Sequence, residues 1–134
     1  MDIRIDKTSW FSESYAIARG RFRKAARRAG GRLSSLALSA KGPRNGDLSV
    51  DIAWFGSKSP RRVLVHSSGL HGVEAFSGSA IQLRWLKTQV AKLREHDAIV
   101  LAHALNPYGM AWRRRFNENN VDLNRNFREP GNFT

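Results

Sequence analysis

The 134-residue sequence contains no cysteine. Disulfides and thiolate metal sites are therefore both excluded, and any metal must rest on His, Asp or Glu. Acidic side chains are scarce: 11 Asp and Glu stand against 23 Lys and Arg, a formal net charge of +12. No apolar run approaches the length of a membrane span, so no membrane partner is expected. The opening MDIRIDKTSW lacks the apolar core of a signal peptide, which leads to a cytoplasmic expectation. No internal repeat or low-complexity segment is visible. What remains is a 41% hydrophobic, moderately charged chain, long enough for one globular domain with a real core.

The positive excess gathers in two places, Arg19 to Arg32 and Arg113 to Arg115. Such a balance can serve nucleic acid or an anionic membrane. No nucleic-acid-binding motif accompanies it and no aromatic-basic signature interrupts it, so nucleic acid is not an expected partner. The first cluster reads as a solvated face.

In chain order, Asp2 to Lys7 alternates weakly and suggests a short extended entry. A helix is predicted from Trp10 to about Ala29, capped by Ser9 or Ser12, with Phe11, Tyr15, Ala18, Phe22, Ala26 and Ala29 forming its apolar stripe. Arg19, Arg23, Lys24, Arg27 and Arg28 fall outside that stripe and are assigned to water. Leu33–Leu38 and Leu48–Phe55 read as strands of an antiparallel hairpin, because Pro43 and the Asn45-Gly46 pair make the connection a turn. A strand over Arg61–Val65, a helix over Glu74–Glu95 and a strand over Asp97–Leu105 then make a right-handed parallel crossover. The fold class is α/β with a mixed sheet.

The chemistry concentrates in Arg61 to Phe76. An apolar strand, Val63-Leu64-Val65, runs into a glycine-bearing turn and then into His71-Gly72-Val73-Glu74. His and Glu three residues apart lie on one helical face and can direct an imidazole nitrogen and a carboxylate oxygen at one ion. The bland alternative makes Glu74 a first-turn carboxylate favoured by the helix dipole and His71 a loop residue. Downstream, Asn106-Pro107-Tyr108-Gly109 reads as a turn at the C-terminal end of a parallel strand, where open α/β sheets bind ligands. Arginines emerging there can clamp a carboxylate or stabilise an oxyanion.

G-x-H-G-x-E after a strand, then N-P-x-G, then R-x-N-x-x-x-V-D-L-N-R-N-F, resembles the zinc metallocarboxypeptidase family, and most closely a bacterial branch described only as a domain of unknown function. The resemblance covers roughly Val63 to Phe127. It implies a mixed β-sheet sandwiched by helices, an α/β/α fold, with residues 1–134 as the N-terminal portion of a single domain incomplete at its C-terminus. It implies Zn2+ held by His71 and Glu74, Arg115 (or, aligned on the Trp-Arg pair, Arg113) as the oxyanion arginine, and Asn124 with Arg125 seating the substrate carboxylate. Asp122 and Asn126 are expected to brace the turn. The substrate expected is a peptide or N-acyl amino acid with a free carboxylate, cleaved at the adjacent amide bond.

Two departures qualify this. Val73 stands where peptide-cleaving members often carry an arginine, which leaves open an N-acyl amino acid deacylase of the aspartoacylase type. The family's third ligand, a histidine, and its general-base glutamate have no counterpart here. His66 and His103 at the strand ends do not match that histidine, and His96 reads as surface. The chain as given is therefore expected to be an inactive portion of a hydrolase. A catalytically dead basic binding module is the rival from another class, and self-association through an exposed sheet edge is expected.

Overall fold

The computed structural model describes residues 10–126. The expected entry strand, the candidate cap Ser9 and the motif's last residue, Phe127, lie outside them. Helix α1 spans Tyr15–Arg28 and is capped by Ser14, whose side chain accepts from the Ile17 amide at 3.3 Å. The helix thus begins later than Ser12, and Phe11 is exposed in front of it. Strands β1 (Arg32–Lys41) and β2 (Asp47–Gly56) form the predicted hairpin. Strand β3 (Arg62–Ser67) leads to α2 (Ala75–Thr88), β4 (Asp97–His103) and a short α3 (Pro107–Trp112). Helix α2 stops well short of Glu95; a 3-10 turn at Val90–Lys92 follows it.

The sheet order is β1-β2-β4-β3, with β3 parallel to β4 and the other pairs antiparallel. β4 is therefore inserted between the hairpin and the strand that precedes it in sequence. This is the mixed α/β sheet that the pattern predicts. Among the described residues, α1 and α2 cover one face. There Phe22, Ala26 and Leu86 meet Ala53, Phe55, Ile99 and Leu101 in the main core. Successive residues of a strand point to opposite faces, so Val50, Ile52, Trp54 and Val100 lie on the other face and are half-buried. On α2, Ile81 is exposed while its neighbours Ala80 and Gln82 are buried.

Two arginines assigned to water are recruited inward. Asp51 on β2 is fully buried and accepts from Arg19 Nε at 2.7 Å, Arg23 Nη1 at 2.5 Å and Ser35 Oγ at 2.5 Å. Burial alone would raise the Asp51 carboxyl; the Ser35 and Arg19 hydrogen bonds and the two guanidinium charges outweigh it and hold it below the usual carboxylate value. Tyr15 Oη donates to the Ser49 carbonyl and accepts from the Ser49 amide, both at 2.8 Å, where β1 and β2 lose register. Helix α1 is thus fastened to β2 by polar contacts as well as by Phe22.

Candidate functional site

The site forms where the turns after β3 and β4 close on each other. Leu105 and Asn106 amides donate to the Ser68 and Gly69 carbonyls, both at 2.8 Å. Gly69 has φ +72, and a Cβ there would stand 2.6 Å from Ala104 Cβ, so both backbone sign and space demand glycine. Gly72 is tighter still: a Cβ would fall inside the Gly109 carbonyl group. The His71–Glu74 stretch therefore lies backbone-to-backbone on α3.

The N-P-x-G segment is a helix start, not a free turn. Asn106 is buried and its Oδ1 accepts from the Gly109 amide at 2.7 Å, capping α3, with Pro107 in the first turn, where its missing N–H costs nothing. Its Nδ2 donates to the Arg115 carbonyl at 3.2 Å, which ties the following loop to the same cap.

His71 Nδ1 lies 3.4 Å from Glu74 Oε1, and its Nε2 lies 3.0 Å from Asp122 Oδ1. The other Asp122 oxygen accepts from Arg115 Nε at 2.8 Å, and Oδ1 also accepts from the Asn124 amide. Desolvation opposes ionisation of Asp122, but the hydrogen bonds from Arg115, His71 and the Asn124 amide lower its pKa to about 2. With Nε2 against the Asp122 carboxylate, the tautomer that carries its proton on Nε2 leaves an Nδ1 lone pair pointing toward Glu74. Two electron-pair donors facing each other at 3.4 Å match the edge of a tetrahedral zinc site, which bond lengths of about 2.1 Å set near 3.4 Å. The donor set fits a zinc ion on two of its positions. Among the described residues, no group of three or more His, Cys, Asp or Glu side chains is placed to hold a metal; Asp122 faces the far side of the His71 ring.

A cleft of about 470 Å³ opens over this cluster, lined by Ser67, Ser68, His71, Glu74, Arg115 and Asn124 among others. Four of the five candidate residues thus share one space. Arg125 is not in its lining; its Nη1 donates to the Asn124 carbonyl at 3.1 Å. Of the arginine cluster, Arg113 donates to the Glu13 carbonyl and Arg114 to Asn120, so Arg115 alone of the three meets the cleft. Asp122, read from sequence as a turn brace, also orients His71; its position 51 residues away carried no local signal. His66 contacts Gln82 through Nδ1 at 3.3 Å. His103 is fully buried, stacked on Phe22 with Nε2 at 3.0 Å from Ser79 Oγ. Neither lines the cleft. His96 is exposed, as expected.

Fold and site together define an α/β chain with a mixed sheet and a His-Glu cleft where the turns after its two parallel strands meet. Two solved structures share the fold: a proposed metallopeptidase from Shewanella denitrificans (TM-score 0.61, 21% identity) and one from Shewanella amazonensis (TM-score 0.58, 22% identity). Each match covers 80% of this chain and 38% of the other, so the chain spans well under half the length of these structures. No curated protein sequence matches. The chain belongs to the family described as "Protein of unknown function (DUF2817)", whose profile matches residues 11–133. No helix among the described residues is long and apolar enough to cross a membrane.

Proposed function

We propose that this chain carries the His-Glu half of a zinc-dependent, metallocarboxypeptidase-like hydrolase site acting on an amide bond next to a carboxylate. The observation that supports it is the single connected row Glu74–His71–Asp122–Arg115 along one cleft. His71 through Nδ1 and Glu74 through a carboxylate oxygen would hold the ion, and Asp122 would fix the ring and its tautomer. A bound zinc supplies Lewis acidity and a water of lowered pKa. Arg115, held at Nε by Asp122, keeps its Nη groups for the charge that develops on a carbonyl oxygen. Asn124 at the cleft wall, with Arg125 beside it, would receive the substrate carboxylate. Among the described residues no third ligand joins His71 and Glu74, so a complete site would draw its third ligand and its general base from outside residues 10–126. We place the chain in the cytoplasm, as the N-terminal portion of one zinc-carboxypeptidase-like domain.

Val73 is 55% exposed and offers no charge to a long peptide, which favours the smaller N-acyl amino acids as a second reading. Zinc titration calorimetry on the purified chain tests the metal assignment. Weak one-to-one binding that disappears in His71→Ala and in Glu74→Ala is expected; unchanged binding in both variants would show that the metal lies elsewhere. In a form of the protein that turns over, a panel of peptides and N-acyl amino acids then separates the two substrate readings.

A further inference from the structure

We infer that Gln82 is a positioning residue for the proposed metal pair, holding His71 and Glu74 at their spacing through Ser68. The inference rests on the metal reading above and names what keeps its two donors in place. Glu74 stands at the N-terminal end of α2, whereas His71 belongs to the loop that leaves β3. Their approach at 3.4 Å therefore depends on how the helix sits against the strand ends. Ala75, Leu83 and Leu86 bury apolar surface from α2, but apolar burial has no direction and leaves a helix free to slide or turn slightly. Hydrogen bonds are directional and remove that freedom.

Gln82 is fully buried and uses its whole amide on this junction. Its Nε2 donates to the Ala102 carbonyl at 3.0 Å, near the end of β4, and to the His66 carbonyl at 3.3 Å, near the end of β3. Its Oε1 accepts from Ser68 Oγ at 3.1 Å. One side chain of α2 thus joins both parallel strands and the first residue of the loop that carries His71. The Ser68 amide donates to the same Ala102 carbonyl at 3.0 Å, so helix and loop share one acceptor. One turn before Gln82, a Cβ on Gly78 would stand 2.7 Å from Ser68 Cβ, so α2 rests directly on Ser68. Ser68 itself lines the cleft beside His71 and Glu74. A methionine would fill the space of Gln82 as well; what the amide adds is a fixed relation between the helix and the loop.

The test is zinc titration of the purified chain in two variants. Gln82→Met keeps most of the volume and removes the amide; Ser68→Ala removes only the hydroxyl that Gln82 holds. Each is expected to weaken zinc binding by roughly tenfold, the lower end of what partners behind a ligand contribute. Because the two residues act as one unit, the double variant should bind no more weakly than the weaker single. Ser14→Ala controls for stability: it loses the cap of α1, outside the cleft lining, and should melt earlier with zinc affinity unchanged. A second readout needs no metal. Nitrogen NMR of the His71 ring should report one tautomer in the unsubstituted chain and a mixture in both variants, as the ring loses its fixed relation to Asp122. Earlier melting with unchanged zinc affinity and unchanged ring signals would make Gln82 a structural residue alone and overturn the proposal. Losses that add in the double variant would overturn it too. If Gln82→Met does not fold, Ser68→Ala decides by itself. Zinc binding that survives His71→Ala would instead overturn the metal reading and this inference together, whereas binding lost there and kept in Ser68→Ala and Gln82→Met overturns only this one.

Discussion

The Nδ1 atom of His71 faces Glu74 because Asp122 occupies the opposite ring nitrogen, and Asp122 is itself held by Arg115. Removing the brace without changing its shape should therefore leave the proposed ligands His71 and Glu74 present but misdirected. Asp122→Asn is expected to lower zinc affinity by about 10–100-fold, measured by competition with a chelator; His71→Ala should abolish it. Gly72 supports the same site through the backbone. Gly72→Ala would drive a methyl group into the Gly109 carbonyl and should destabilise the chain by roughly 1–3 kcal/mol or more in urea titration, with zinc binding lost in parallel. The H-x-x-E spacing was legible in sequence because a helix start places those two side chains locally. Asp122 was legible only as part of a motif, since its contact with His71 depends on a loop returning across 51 residues. That Arg115 lines the cleft and Arg113 does not was beyond the sequence: the αL backbone of Arg113, at φ +54, ends α3, and its side chain donates to the Glu13 carbonyl.

At the scale of elements, α1 shows why amphipathic patterning assigns a face correctly and its border wrongly. Tyr15, Ala18, Phe22 and Ala26 are buried as their spacing predicts. Arg19 and Arg23 sit at the edge of that stripe, and their fate was decided by one carboxylate on β2, 28 to 32 residues away. Asp51→Ala should destabilise by about 2–4 kcal/mol in denaturant unfolding. That is somewhat under the usual cost of orphaning a buried pair, because both guanidinium groups are about a quarter exposed and can turn to water. Ser14→Ala removes the observed cap and should cost about 1 kcal/mol, while Ser12→Ala should cost less. The strands were the most legible elements, because the hairpin turn and the apolar runs are local signals. The length of α2 was not: after Thr88 its apolar residues continue in sequence while the backbone tightens into a 3-10 turn.

For the whole molecule, the buried polar layer between α1 and the sheet sets the response to acid. Burial, with a smaller contribution from Arg19, depresses the His103 pKa to about 4 from 6.5, against the raising pull of Asp51. A depressed folded-state value means the unfolded chain binds the proton more readily. Stability should therefore be full above about pH 6.5 and fall as pH drops toward 4, by up to roughly 3 kcal/mol. Asp51, also depressed, adds a further loss as pH falls below the ordinary carboxylate value. Denaturant midpoints between pH 8 and pH 4 should show this slope, and His103→Gln should flatten its upper part. The sheet order bears on how the molecule is made. β3 and its neighbour β4 are offset by 35 residues, at Arg62 and Asp97, and β3 cannot join the hairpin except through β4. At ordinary translation speeds, β3 leaves the ribosome roughly 2–7 seconds before its partner does. An apolar strand, Val63-Leu64-Val65, must wait unpaired in the nascent chain for that interval, open to capture by a chaperone.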